Sequence, residues 1–234
     1  RTRPGRKIRE PLRGYCKKKS VLIIGIGKFG AHLAEKMQDL GHDVLIFDRN
    51  PASIERLATR FADAQIGDFT NEDVLREIDV ASYDVVCVTL GDDFEASMVT
   101  TMLLKRLGAK YVVTRARSEI ECDLLRKVGA DEIVYADGDA TDKLAMRMGG
   151  NNIFDYIQLT DGYAIFEVPI LKAWEGKSIA ELDIRRRYKI NIVAIKNDEV
   201  LDPTPMPDYR FKTDDHILVI GKSRDVFKLD SKNI

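Results

Sequence analysis

Six short runs of apolar, mostly β-branched residues recur between residues 20 and 135, and an amphipathic segment separates most of them from the next. The runs lie at 21–24, 44–47, 64–66, 85–89, 111–114 and 132–135, and helical patterns lie at 29–40, 53–61, 71–78, 94–107 and 120–128. Alternation of this kind predicts parallel strands joined by helical crossovers, because a parallel connection must cross the sheet and return. The strands read as continuous apolar runs, which a sheet covered by helices on both faces demands. Gly41, Gly108 and Gly129 follow three of the helices where a left-handed cap is wanted.

Directly after the first run stands G-I-G-K-F-G, with Gly25, Gly27 and Gly30 at the start of a helix. The first glycine permits a tight turn, the second lets backbone approach a phosphate, and the third lets helix and strand pack closely; the helix N-terminus offers unpaired amides to the anion. The second strand ends at Asp48, 18 residues beyond Gly30, where a carboxylate accepts hydrogen bonds from both hydroxyls of an adenosine ribose. The expected fold is therefore α/β, a Rossmann-like doubly wound parallel sheet with a small C-terminal α+β subdomain. The alternative role for Asp48 is to cap the helix opening at Pro51. Asp48 disfavours a 2′-phosphorylated cofactor, because two anions would crowd one site, although Arg49 beside it pulls the other way. In G-D-F-T after the third strand, Asp68 lies near the adenine edge or caps the helix near Asn71, and Phe69 beside it is a further candidate cofactor-binding residue. Thr89, Leu90 and Gly91, after the fourth strand, line the phosphate crevice at the carboxyl ends of the strands. Lys28 is either a phosphate counter-charge or a solvated lysine.

The chain has 234 residues, 44% of them hydrophobic, enough for one large domain or two modest ones. No apolar run approaches the roughly 20 residues of a membrane span, and no secretory signal is expected. Residues 1–19 carry nine Lys or Arg against one Glu, so the remainder must be acidic to reach the total of −1. This segment reads as a basic tail or linker, either solvated or lying near anionic lipid or an acidic partner. An acidic body without a helix-turn-helix argues against nucleic acid. Cys16, Cys87 and Cys122 stand at unrelated spacings, as reduced thiols without a zinc pattern. A further helix at 139–148 precedes Gly149 to Asn152, the expected linker. The reading is a nucleotide-binding domain over 20–150 and a second module over 151–234, with strands at 163–168, 190–195 and 216–220, a short helix at 178–182, and Pro203, Pro205 and Pro207 excluding regular structure between them.

Groups for chemistry are few. His32 falls on the first helix, His42 in a turn and His216 on the last strand, and none looks convergent with the others. Tyr15 and Lys19 have a Tyr-x-x-x-Lys spacing but precede the nucleotide fold, and Cys87 and Cys122 sit inside regular elements without a basic neighbour. Asp137, Asp139 and Asp142 either hold a divalent cation against nucleotide phosphates or form a solvated turn and helix cap. Binding without turnover is favoured over a small NAD-dependent oxidoreductase or an NADH-sensing transcription regulator, for which a DNA-binding module is not visible.

The runs K-K-K-S-V-L-I-I-G-I-G-K-F-G, D-R-N, G-D-F-T, V-T-L-G-D-D and T-R-A-R-S, followed by G-K-S-I-A-E-L-D-I-R-R-R-Y, I-N-I-V-A-I-K and D-D-H-I-L-V-I-G, resemble the domain that regulates potassium conductance, the RCK domain of Trk and Ktr cytoplasmic subunits and of some potassium channels. The resemblance spans about residues 18–222. It implies a cytoplasmic homo-oligomer, with paired N-domains in an octameric ring, held to the inner face of the plasma membrane by a potassium-translocating subunit. It also implies that exchange of ATP, ADP or NAD(H) changes the ring's shape. A pore on the same chain, making this the cytoplasmic portion of a channel, is the alternative. The site implied comprises Gly25, Gly27, Lys28, Phe29, Gly30, Asp48, Asn50, Asp68, Thr89, Gly91 and Arg115. Family members often carry Arg at the place of Lys28, for a γ-phosphate in a neighbouring subunit; lysine keeps the charge but loses the bidentate geometry. Asp137 falls where some members bind a divalent cation, and Arg185 and Asn191 match in type a motif that binds cyclic di-AMP in some.

Overall fold

The computed structural model describes residues 17–149, 153–198 and 200–230. Most of the basic tail, with Tyr15 and Cys16, and residues 150–152 of the expected linker lie outside the described residues. The chain divides into two compact units, one reaching to residue 138 and one starting at 139.

In the first unit six parallel strands, β1 (Ser20–Ile24), β2 (Asp43–Asp48), β3 (Asp63–Ile66), β4 (Val85–Val88), β5 (Val112–Arg115) and β6 (Glu132–Val134), lie in the order β3-β2-β1-β4-β5-β6. Helices α1 (Lys28–Asp39), α2 (Pro51–Glu55), α3 (Glu72–Glu77), α4 (Phe94–Arg106) and α5 (Glu119–Lys127) fill the crossovers. The central strand β1 feeds both faces. Leu22 and Ile24 pack with Phe47, Val86, Val88 and Leu104, while Val21 and Ile23 pack with Val44, Ile46 and Cys87. These four of the five β1 side chains are fully buried, each contributing about 1.5–3 kcal/mol. Because the strand order reverses between β1 and β4, the chain leaves these two strands in opposite directions and opens a crevice at their carboxyl ends.

The helix expected at 53–61 is shorter than its pattern. Asn50 caps it by accepting from the Ala52 amide at 3.0 Å, and Pro51 starts it. Beyond Glu55 the amides of Leu57, Ala58 and Arg60 turn to carbonyls three residues back, which tightens the chain and buries Phe61. Conversely the helix expected at 139–148 runs as α6 (Ala136–Gly149), so Asp137 lies inside its first turn.

The second unit holds an antiparallel sheet in the order β10-β9-β11-β8-β7, built from β7 (Asp155–Thr160), β8 (Tyr163–Pro169), β9 (Ile190–Asn197), β10 (Val200–Asp202) and β11 (Asp215–Lys222). Helices α7 (Ile179–Leu182), α8 (Ile184–Tyr188) and α9 (Ser223–Asp230) accompany it. Trp174, Phe166 and Phe211 anchor its core. A capping box between Ser178 and Glu181 starts α7. The last strand does not stop at Gly221 but continues to Lys222; a Cβ at Gly221 would lie 2.8 Å from Ile190 Cγ2, so close strand packing explains this glycine. Asp215 is fully buried and accepts from Asn197 Nδ2 at 2.8 Å, the Lys212 amide at 2.8 Å and the Tyr209 hydroxyl at 2.9 Å. These bonds satisfy the carboxylate and fix the segment after the three prolines. Burial and the Asp215 carboxylate push the Tyr209 hydroxyl up to about 12. Among the described residues no helix is long and apolar enough to cross a membrane.

Candidate functional site

The glycine loop is shaped by contacts that only glycine permits. Gly25 turns at φ +90°, and a Cβ on Gly30 would overlap the Gly25 carbonyl and Thr89 Oγ1. Thr89 Oγ1 sits 2.5 Å from the Gly25 oxygen and 3.1 Å from the Ile24 oxygen, tying β4 to the end of β1. Gly27 differs, because a Cβ there would meet nothing within 4 Å. Its face is open to the crevice. Gly27 caps α1 without a side-chain bond, and the first helix turn holds no acidic residue. Among the described residues the amides of Lys28, Phe29 and Gly30 have no acceptor, so this helix end presents N–H groups and a positive dipole to any anion in front of it.

Asp48 reaches the same loop from β2. It is 8% exposed; Oδ2 accepts from the Ile26 amide at 2.5 Å and Oδ1 from the Asn50 amide at 2.8 Å. The helix at Pro51 is capped by Asn50, not by Asp48. Each carboxylate oxygen keeps acceptor capacity for a hydroxyl.

Asp68 closes a turn on Thr70, accepting from its amide at 2.9 Å and its hydroxyl at 2.7 Å, and these bonds hold its carboxyl below the usual range. Asn71, not Asp68, caps α3. Buried Phe69 meets Phe47 edge to face at 6.3 Å and carries the Arg49 guanidinium 5.4 Å above its ring. Arg49 also pairs with Asp93 at 3.0 Å. Asp93 caps α4 through the Ala96 amide, and this bond above all lowers its carboxyl.

Across from α1, Arg115 leaves the end of β5, lies 5.0 Å over the Phe29 ring and meets Asp137 at 3.5 Å. Its Nε is buried without a partner. A Cβ on Gly91 would stand 2.7 Å from Arg115 Nη1, so the glycine gives this side chain room.

Between these walls lies a cleft of about 640 Å³ lined by Gly27, Lys28, Phe29, Thr89, Gly91 and Arg115 from the sequence-derived set, with His32 and Asp92 added. Asp48, Arg49, Asn50, Asp68 and Phe69 occupy the neighbouring strand ends β2 and β3. Leu90 is half-buried, and its side chain backs Gly25 and joins the core instead of lining the cleft. Asp92 pairs with Arg117 at 3.2 Å, and Arg117 also donates to the Gly91 carbonyl at 2.7 Å. His32 could have been found from its spacing, one turn beyond Lys28 and Phe29 on the same face. Arg117, Asp92 and Asp93 carry no such signal, since loop conformation alone brings them together.

In the second unit Arg185 and Asn191 line one hollow of about 290 Å³ with Asp183, Ile184 and Pro205. No group of three or more His, Cys, Asp or Glu suited to a metal occurs among the described residues. Cys87 is buried and its thiol is pushed up to about 12, chiefly by desolvation, which suits packing and not nucleophilic chemistry.

Residues 21–136 match the TrkA-N domain and residues 163–232 the TrkA-C domain. The chain is 31% identical over 215 residues to Ktr system potassium uptake protein C of Bacillus subtilis (strain 168), covering 92% of this chain and 97% of that protein. It is 29% identical over 221 residues to Ktr system potassium uptake protein A of the same organism, covering 94% and 100%. Among solved structures, the GsuK channel bound to NAD superposes with a TM-score of 0.68 at 19% identity, over 93% of this chain but 40% of that one. At that identity the likeness is one of fold. From its two matched domains and its relatives, the chain belongs to the Ktr and Trk family of potassium uptake proteins.

Proposed function

We propose that this chain is a nucleotide-responsive regulatory subunit that gates potassium transport through a membrane partner. One observation carries the reading: the chain matches two Ktr potassium uptake proteins over 97% and 100% of their lengths. The geometry supports it, because the part matching the TrkA-N domain contains an open anion cradle and no convergent catalytic group. In this reading phosphates rest on the amides around Gly27, Lys28 supplies counter-charge, Asp48 takes the ribose diol and Asp68 faces the base, while the buried ring of Phe69 packs in the core behind it. The ligand is an adenine nucleotide, NAD(H), ATP or ADP; the related GsuK channel fold was solved with NAD. The chain is not an enzyme in this reading. It binds a ligand and reports it.

Gating follows from linkage. A nucleotide shifts a two-state assembly only by its difference in affinity for the two states, so copies of this chain have to share or sense the site. The assembly proposed is a homo-oligomer of paired N-domains in an octameric ring, on the cytoplasmic face of the membrane. Asp137, paired with Arg115, offers one carboxylate to a divalent cation, whose other oxygen ligands come from phosphates or a second subunit. The hollow at Arg185 and Asn191 is the place where cyclic di-AMP is proposed to bind.

The test is a thermal-shift panel of ATP, ADP, NAD, NADH and cyclic di-AMP, followed by potassium flux into vesicles holding the membrane partner. A ligand that binds the folded state raises the midpoint. The reading is overturned if no adenine nucleotide does so at millimolar concentration, or if flux ignores the ligand that does.

A further inference from the structure

We propose that Asp93 is a specificity-determining residue of the nucleotide site: by holding the Arg49 guanidinium over the Phe69 ring, it withholds a cation from any 2′-phosphate and so sets the chain for a free ribose diol. This rests on the nucleotide reading above. Arg49 directly follows Asp48, the residue assigned to the diol, and neighbouring Cα atoms stand about 3.8 Å apart. An arginine at this strand end is the group that accommodates a 2′-phosphate in a dinucleotide fold. In the sequence alone, Asp48 and Arg49 pull in opposite directions. The position of the guanidinium separates them.

Strand β1 lies between β2 and β4, so the Arg49 side chain reaches from the end of β2 to the start of α4. There Nη2 donates to Asp93 Oδ2 at 3.0 Å, with the Phe69 ring 5.4 Å from the guanidinium carbon. Asp68, lowered above all by its bonds to Thr70, also feels the Arg49 charge. Asp93 divides its oxygens between two tasks: Oδ1 accepts from the Ala96 amide at 3.0 Å and caps α4, while Oδ2 takes Arg49. The cap fixes the carboxylate, so its second oxygen meets the guanidinium already ordered. A second arginine near Asp48, Arg56, donates to the Ile26 carbonyl at 3.2 Å.

A 2′-phosphate would bring up to about two negative charges beside the Asp48 carboxylate, where Arg49 is already paired. A free diol needs no cation and loses nothing. The wrong ligand is rejected by leaving its charge unpaired.

Asp93→Asn isolates the contact. Asparagine caps a helix as well as aspartate does, and with its oxygen kept on the Ala96 amide its NH2 group faces the guanidinium, donor against donor. Arg49 is released while α4 stays capped; Asp93→Ser, which caps through a hydroxyl, is the second variant. Calorimetric competition at constant ionic strength compares NAD with NADP. Adenosine 5′-monophosphate and its 2′-phosphorylated form are a second pair, so the preference is read whether or not the nicotinamide half contributes. The Arg49 and Asp93 side chains are 55% and 39% exposed, and the preference for free ribose is expected to fall roughly two- to fivefold in Asp93→Asn, the range of an exposed ion pair. NAD affinity should stay unchanged, and adding Arg49→Ala to Asp93→Asn should restore the wild-type preference. An unchanged preference in both Asp93 variants overturns the role of Asp93 and leaves the nucleotide site standing. A preference that stays relaxed in the double variant also overturns it, because the effect then belongs to the lost carboxylate charge or to Arg56. Failure of ADP, ATP and NAD alike to bind the wild type at millimolar concentration overturns the nucleotide reading itself.

Discussion

The Asp48 carboxylate and the Ile26 amide are joined at 2.5 Å, so the residue that marks the end of β2 also holds the glycine loop in place. In the proposed reading one side chain thereby serves both the fold and the ligand. Asp48→Ala is expected to leave the Ile26 amide buried without a partner and to cost about 1–3 kcal/mol of stability. It should weaken every adenosine ligand as well, since the diol loses its acceptor. Urea denaturation and calorimetry on the same variant separate these effects; full stability together with wild-type affinity would contradict both roles.

Gly27 and Gly30 offer a sharper contrast. Alanine at Gly30 collides with the Gly25 carbonyl and Thr89 Oγ1, neither of which can retreat without moving a strand. A loss above about 3 kcal/mol, or failure to fold, is expected. Alanine at Gly27 meets nothing within 4 Å. Gly27→Ala should melt near the wild-type temperature and yet lose nucleotide binding, because its methyl group occupies the path of the phosphate. Thermal melts and ligand titrations of the two variants test the pair, and a Gly27→Ala protein that binds normally would show that phosphate does not approach this backbone.

The central strands β1, β2 and β4 are legible in the sequence because each is a local, mostly buried apolar run, whereas the edge strands β3 and β6 are mixed and largely exposed; the strand ends that meet at the crevice follow from parallel topology alone. Gly25, Asp48 and Thr89 stand at the carboxyl ends of β1, β2 and β4, which any doubly wound sheet brings to one edge. Side-chain pairings between loops are not legible in this way. Arg49 with Asp93, and Arg117 with Asp92, depend on loop paths that no periodicity encodes. The same limit explains Asp48 and Asp68: neighbouring asparagines, Asn50 and Asn71, take the helix caps, a choice between residues two or three positions apart. In the second unit, β7 has a largely exposed surface and β10 has three residues, so neither writes a clear pattern. The helix α8 begins right after Asp183, which adopts φ +44° and joins it to α7 with no intervening loop.

In the proposed reading Lys28, at the open end of α1 and lining the cleft, meets the terminal phosphate. Lys28→Ala is expected to lower the preference for ATP over ADP by roughly three- to tenfold, with ADP affinity changed much less, since only the longer ligand places a charge at this ammonium. Competition titrations with the two nucleotides give the ratio. Equal losses for ATP and ADP would move Lys28 to the inner phosphates and remove it as the discriminating group.

The second unit carries its own pH dependence through Glu167. Its carboxylate accepts from Lys196 Nζ at 2.6 Å and faces His216 Nδ1 at 3.1 Å, with 15% of the side chain exposed. Desolvation alone would raise its pKa, but the hydrogen bonds from Lys196 and His216 outweigh it and hold the carboxyl below its ordinary 4.5. A depressed pKa in the folded state contributes stability that is present above the unfolded value and is lost as pH falls through the folded one. Below about pH 4.5 the wild-type protein should therefore lose stability partly through this residue. Glu167→Gln is expected to be less stable than wild type at neutral pH and to converge with it as the solution is acidified. Denaturation midpoints of the two proteins from neutral pH into the acid range measure the convergence. A gap that stays constant down to the acid end would mean that the carboxylate charge contributes nothing and that only the shape of the side chain matters.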